Sequence, residues 1–202
     1  MRVLVACEFS GIVRNAFAAK GHDAWSCDLL PTERPGNHIQ GDVLEVIDDA
    51  LSEKSQWDLM IAHPPCTFLT VAGQKAMTPK YNPDYERRLW ERTKAVSFVQ
   101  DLLRAPIKKI CIENPVGHLP KFIGPYSQIV RMNDFGHDAI KPTCLWLRGL
   151  PLLKPTKKVE ATIHQNPNGR RTSKWYSKCG WSTKKRQTTF TGLAEAMADQ
   201  WG

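Results

Sequence analysis

Short unbroken apolar runs alternate with amphipathic stretches along most of this chain. "RVLVAC" (2–7) predicts a strand buried on both faces, because a parallel strand covered by helices has no polar side. "GIVRNAFAAKG" (11–21) puts Ile12, Val13, Ala16, Phe17 and Ala19 near helical spacing, with Gly21 placed to end the helix. "DAWSCDL" (23–29) reads as a second strand. "HIQGDVLEV" (38–46) holds a short third, and "WDLMIAH" (57–63) is a fourth. Residues 84–104 predict a helix whose broad apolar face carries Leu89, Trp90, Val96, Val99, Leu102 and Leu103. "KKICIEN" (108–114) is a fifth strand, with later strands in "QIVRMN" (128–133) and "TCLWLRG" (143–149). The closing "GLAEAMADQWG" aligns Leu193, Met197 and Trp201 on one stripe, which predicts a helix returned to the core.

Strand, helix, strand, helix is the pattern of an α/β fold with a doubly wound, mostly parallel sheet. The 202 residues, 42% of them hydrophobic, suit one domain with a complete core. Sheets of this kind bind ligands beyond the carboxyl ends of their strands. The residues that follow each apolar run therefore form one expected rim: Glu8, Phe9, Ser10 and Gly11, then Asp28, Asp42, the run His63-Pro64-Pro65-Cys66, and finally Glu113, Asn114 and Pro115.

Charge divides the chain unevenly. Residues 151–190 carry ten Lys/Arg and a single acid, Glu160, a net +9 within a chain of net +8, so the remainder is close to neutral at −1. Trp175, Tyr176 and Trp181 interleave those cations, a combination suited to phosphate contact and base stacking. We therefore expect two parts: a catalytic domain of 1–150 plus 190–202, and a small basic insertion, 151–189, that contacts DNA. The six cysteines include no CxxC pair and share no metal-ligand spacing with histidine, which argues against a zinc site. Most lie in apolar runs and read as small core residues, Cys7 among them. With no secretory leader pattern and no apolar run of membrane-spanning length, the expectation is a cytoplasmic protein off the membrane.

The rim suggests chemistry in two halves. At the first, "EFSG" makes a tight strand-to-helix turn with Gly11 where backbone would pass a ligand, and an acid after the second strand, Asp28, suits a ribose hydroxyl. Asp42 could accept from an adenine amino group. Neither GxGxxG nor GxxxxGK[ST] is present, which disfavours a dinucleotide or a triphosphate. At the second half, Pro64 and Pro65 stiffen the approach to Cys66, and a thiol just beyond a strand end can serve as nucleophile where its setting favours the thiolate. Glu113 at the next strand end could act as an acid toward a ring nitrogen. A buried structural thiol is the alternative reading of Cys66.

These residues resemble the cytosine-5 DNA methyltransferases. "HPPC" followed by "ENP" one strand later is similar to that family's PC and ENV motifs, and "CEFSGIVRNAF" resembles its first, cofactor-holding motif. Asp28 and Asp42 stand at its ribose and adenine acids. "FGHDAIKPTCLWLRGLPLL" resembles its Gln-x-Arg region and the following strand, and "TGLAEAMADQWG" its final helix. The resemblance covers most of 1–150 and 190–202 and is nearest to short phage and prophage members, whose setting would be the cytoplasm of a bacterial host.

The resemblance implies a methyltransferase fold and S-adenosylmethionine as cofactor, held by Glu8, Phe9, Ser10, Gly11, Asp28, Leu29, Asp42, Val43 and Pro64. It implies Cys66 as nucleophile at carbon 6 of cytosine and Glu113 as the partner of ring nitrogen 3. DNA would be contacted by Pro65, Asn114, Lys141, Thr143, Arg170, Arg171, Lys174 and Trp175, with the protein acting as a monomer. Departures are specific: His63 replaces a glycine, Thr67 a glutamine, and "ENP" the usual ENV. The small insertion implies low or short sequence specificity, since phosphate contacts give affinity but base edges give selectivity. Open alternatives are a carboxylated S-adenosylmethionine as donor, its extra carboxylate paired with Lys75 or Lys141, a free pyrimidine nucleotide as substrate, and a non-catalytic DNA-binding relative.

Overall fold

The computed structural model describes residues 1–49, 57–165, 169, 171–175 and 189–202. Seven strands form one sheet: β1 (Arg2–Ala6), β2 (Asp23–Asp28), β3 (His38–Gln40), β4 (Leu59–Ala62), β5 (Lys109–Pro115), β6 (Gln128–Val130) and β7 (Thr143–Arg148). Their order is β3-β2-β1-β4-β5-β7-β6. The first five pair in parallel, and β7 runs antiparallel between β5 and β6. This is the expected doubly wound, mostly parallel α/β sheet. The order reverses beside β1, where β2 and β4 flank it, so the ends of β1 and β4 open the crevice where such sheets bind ligands.

Alternate residues of each central strand feed two separate cores. Val3, Val5, Leu59, Ile61, Cys111 and Leu145 face α1 (Ile12–Ala18) and the carboxyl-terminal helix α5 (Thr191–Trp201). Leu4, Ala6, Met60, Ala62, Ile110 and Ile112 face α2 (Val43–Asp49) and α3 (Tyr85–Arg104). A short turn of helix, α4 (Pro120–Ile123), follows β5. β4 is buried at all four positions, which is why "LMIA" carries no polar residue. Leu193, Met197 and Trp201 are buried as the stripe predicts. Among the described residues no helix is long and apolar enough to cross a membrane.

The short strand expected within 38–46 is His38–Gln40, and helix α2 starts at Val43. Two expectations need correction. Leu89 and Trp90 lie on the exposed side of α3. The buried face there is taken by Arg92, whose guanidinium donates to Phe68 O at 3.0 Å and Gln74 Oε1 at 3.0 Å. Cys7 is not a core residue: it is half-buried, at φ 57°, where it turns the chain out of β1. A side chain with a Cβ rarely adopts that conformation outside functional or strained sites.

Beyond β7 the chain stays tied to the body. Gln128 and Leu153 exchange two hydrogen bonds, Lys154 and Gln200 two more, and Val159 N donates to Asn133 O at 2.8 Å. β8 (Ile163–Gln165) and β9 (Arg171–Ser173) form an antiparallel pair apart from the main sheet.

Candidate active site

The ends of β1, β2, β4 and β5 and the loop before β7 enclose one cavity of about 800 Å³. At its first end lie Cys7, Glu8, Phe9, Ser10, Asp28, Leu30 and Glu33. At its second lie His63, Pro64, Pro65, Cys66, Thr67, Glu113 and Lys141, with Trp175 also in the wall. Most of the expected rim therefore lines one cavity, without Gly11, Asp42 and Asn114, and Cys66 and Glu113 share it with Glu8, Phe9 and Ser10.

The first end is built on backbone. Glu8 is buried, and its carboxylate accepts from Val13 N at 2.7 Å, Arg14 N at 3.1 Å and Ser10 Oγ at 3.2 Å. It thus satisfies the amides at the start of α1, where a negative charge also favours the helix dipole. Gly11 does not approach the cavity: it has φ 67°, and a Cβ there would run into the Arg14 guanidinium. Arg14 is fully buried and donates to Ser26 Oγ, Thr32 Oγ1, Arg34 O and Pro35 O at 2.9–3.2 Å. Those bonds, with Glu33 N donating to Phe9 O at 2.8 Å, hold the loop that brings Leu30 and Glu33 into the wall. Asp28 Oδ1 accepts from Leu30 N at 2.9 Å, and among the described residues its Oδ2 has no hydrogen-bond partner.

The second end is stiffened on both sides of the thiol. Asn114 Nδ2 donates to Pro64 O at 3.0 Å, and Leu69 N and Thr70 N both donate to Cys66 O at 3.0 and 3.2 Å. His118 N donates to Leu69 O at 2.8 Å, while a Cβ at Gly117 would collide with that carbonyl. Glycine at 117 is what lets the two loops meet. His63 Nδ1 lies 3.3 Å from Glu113 Oε2, with the two side chains only 11% and 13% exposed. Burial pushes the Cys66 thiol up from its ordinary value, Glu113 adds to the rise, and Lys141 opposes it. Burial acts to raise the Glu113 carboxyl too, but the His63 hydrogen bond, the Lys141 charge and Thr143 together hold it below its ordinary value.

Not every expected residue reaches the cavity. Leu29 points outward at 73% exposure, and Leu30 takes the place beside Asp28. Asp42 is exposed and caps α2 through Leu44 N at 2.9 Å, and Val43 is core. Asn114 and Thr143 are buried behind the wall. Lys75 is exposed, its ammonium 5.8 Å from the Tyr81 ring. Lys174 is exposed, whereas Trp175 lines the cavity and packs on Phe190 at 5.0 Å between ring centroids. Arg171 contributes its backbone to β9. Arg170, Tyr176, Trp181 and the basic residues from Lys178 to Arg186 lie outside the described residues. Sequence reasoning missed Leu30, Glu33, Thr70, Val71 and Ile140, which come from loops and from the start of a 3-10 helix (Val71–Met77), none with a local pattern.

No protein-family model matches this chain, and no curated protein matches it. Solved structures do. One is an E. coli protein described as a DNA modification methyltransferase encoded within a prophage, at a TM-score of 0.47 and 14% identity. The match covers 79% of this chain and 52% of that one, so the chain spans about half the length of this solved neighbour. A likeness that distant carries no chemistry across, and the functional reading rests on the residues themselves.

Proposed function

We propose that the protein is a DNA cytosine-5 methyltransferase that uses S-adenosylmethionine. One observation carries the reading: Cys66 and Glu113, from the ends of adjacent parallel strands, line the same cavity as Phe9, Ser10 and Asp28. The cavity volume falls within the ~300–1,000 Å³ of small-molecule sites. The residues present fit the cofactor, since Asp28 offers at the wall a carboxylate oxygen with no partner among the described residues, and Phe9 an apolar surface. Phe9, Ser10, Asp28 and Pro64 would hold it, with Leu30 and Glu33 beside them. When bound, the cofactor supplies an electrophilic methyl group.

The chain's own residues do the rest. The Cys66 thiolate forms a bond to carbon 6, and the displaced ring electrons move toward nitrogen 3, where Glu113 provides a proton. Carbon 5 is thereby made nucleophilic and would take up the methyl group. Loss of the carbon-5 proton to a base or water then restores the ring double bond as the sulfur–carbon bond breaks, which frees Cys66, and nitrogen 3 returns its proton to Glu113. The Glu113 charge opposes thiolate formation, so protonation at Glu113 and ionisation at Cys66 favour one another. Lys141, also in the wall, supports the thiolate directly. Duplex substrate requires the cytosine to be extruded, because the ring is out of reach within the stack.

DNA as substrate is supported by the basic composition of 151–189, which we propose as the DNA-contacting part, and by Trp175 linking that segment to the cavity. A free nucleotide would need far fewer cations. Lys141 is the one observation that favours a carboxylated donor, as a cation within the cavity. Its influence on Glu113 and Cys66 already accounts for it there.

Incubation with labelled S-adenosylmethionine and cytosine-containing DNA, followed by nucleoside mass analysis, tests the reading. We expect 5-methyldeoxycytidine that disappears in Cys66→Ala. A carboxymethyl mass identifies the variant donor, label on added nucleotide alone the monomer substrate, and DNA binding without modification the non-catalytic relative.

A further inference from the structure

We propose that His63 is a positioning residue for Glu113, and that the imidazole and the carboxyl share the one proton that the site presents to the ring nitrogen. The inference rests on the reading of Glu113 given above and deepens it. Its basis is a contact that the sequence did not reveal: His63 Nδ1 and Glu113 Oε2 lie 3.3 Å apart, nearly shielded from solvent. His63 precedes two prolines at the end of β4, and its backbone N donates to Ala6 O at 3.0 Å, so the ring is carried on a rigid segment. Its Nε2 is buried and has no hydrogen-bond partner among the described residues. The Glu113 contact is thus the one polar anchor of the ring among those residues.

The chemistry explains why such a pair is useful. A carboxyl that acts as an acid at neutral pH must hold a proton, yet Glu113 is held below its ordinary value. Alone it would meet the base as a carboxylate. Paired with an imidazole whose Nδ1 can carry a proton, it has a proton one hydrogen bond away. As the Cys66 sulfur bonds to carbon 6, the His63 Nδ1 proton passes to the Glu113 carboxylate and on to nitrogen 3, which leaves the carboxylate ionised. The imidazole is left neutral. When the sulfur–carbon bond breaks, nitrogen 3 returns its proton to Glu113, and His63 is recharged. No oxidant or further reactant is involved. The other groups facing the carboxyl are Lys141 and Thr143, with the thiols of Cys66, Cys111 and Cys144 acted on by its charge. Among these, His63 is the one whose ring nitrogen lies within 3.3 Å of the carboxyl and can both hold and release a proton.

The test compares the full-length wild type with His63→Gln and His63→Ala. Three readouts are taken: the Glu113 carboxyl titration by carbon-detected NMR, single-turnover modification of cytosine DNA across pH, and covalent trapping on 5-fluorocytosine DNA. We expect the Glu113 value to move up in His63→Ala. We expect modification at neutral pH to fall about 10²-fold in both variants, the size of a general acid–base contribution. The wild-type-to-variant ratio should narrow as pH falls, because solution protons then reach Glu113 directly. Gln can hydrogen-bond but cannot supply a proton, so rescue by His63→Gln, or a pH-independent ratio, overturns the proposal. An unmoved Glu113 titration overturns it too. If His63→Ala does not fold, the Gln variant and the wild-type titration still decide. Absence of modification and of adduct in the wild type instead overturns the underlying reading, and the proposal with it.

Discussion

The two ends of the cavity are built on opposite principles. At the β1–α1 end the two buried charged groups are saturated, and the open Asp28 oxygen is the exception: Glu8 accepts from two backbone amides and Ser10, and Arg14 is bound on both terminal nitrogens. At the β4–β5 end, groups at or just behind the wall keep unused capacity. His63 Nε2 and Asn114 Oδ1 are buried without partners among the described residues. A saturated network rigidifies a surface. Unsatisfied buried groups are costly and so mark places where a ligand or a proton is to be received. On the proposed reading, the difference separates a scaffold for the cofactor from a site that reacts with the base.

Changes at the reactive end should alter chemistry while leaving the fold intact. The largest effect is expected from Cys66→Ala, which should reduce modification below detection with thermal stability unchanged. A parallel loss of folding would show that the thiol is structural.

The scaffold end should behave in the reverse way. Arg14→Met leaves the Pro35 carbonyl without its Arg14 donor and removes one of the partners of the Arg34 carbonyl and the Ser26 hydroxyl, which keep Thr32 Oγ1 and His38 Nδ1. We expect about 2 kcal/mol of lost stability in urea unfolding, at ~1–3 kcal/mol for a buried group left unpaired. At neutral pH, Glu8→Gln keeps an acceptor but loses the charge at the helix start, and should cost about 1 kcal/mol. Little change in either variant would mean that the loop carrying Leu30 and Glu33 is held by other contacts.

Two smaller effects sharpen the electrostatic contrast. Glu113→Gln removes the charge that raises the Cys66 thiol, so alkylation of Cys66, followed by peptide mass analysis, should speed up at neutral pH. Lys141→Met should slow it. The sign for stability is also fixed. Because the folded Glu113 value is depressed, its contribution is present above the ordinary carboxyl range and is lost as pH falls through the folded value. The stability gap between wild type and Glu113→Gln should therefore close on acidification. Cys7 in the same wall offers an internal control, since burial raises its thiol most and the Asp28 charge next. Its alkylation should stay slow in both variants.

Much of this architecture was legible in the chain because parallel strands covered on both faces must be apolar throughout. β1 and β4 stand out for that reason, and so does the rim that follows them. The carboxyl-terminal stripe was legible for the same reason in helical form. What stayed hidden was polar and nonlocal. Arg14 and Arg92 look like surface residues in sequence, yet each is buried because loops far along the chain bring carbonyls to its guanidinium. Glu8 sat on the expected rim but proved to be the cap of α1. His63 was conspicuous only as a departure from the pattern of the family this chain resembles. Its partner, Glu113, is fifty residues away, and only the parallel pairing of β4 with β5 brings them together.

The central claim is that Cys66 attacks a cytosine ring in DNA, and covalent trapping tests it most directly. The wild type is incubated with S-adenosylmethionine and duplex DNA containing 5-fluorodeoxycytidine, where the fluorine blocks the release step, and the product is digested and mapped by mass. The account predicts a DNA-linked peptide joined through Cys66, absent in Cys66→Ala. Modification of ordinary cytosine DNA with no adduct, or an adduct on any other residue, would contradict it.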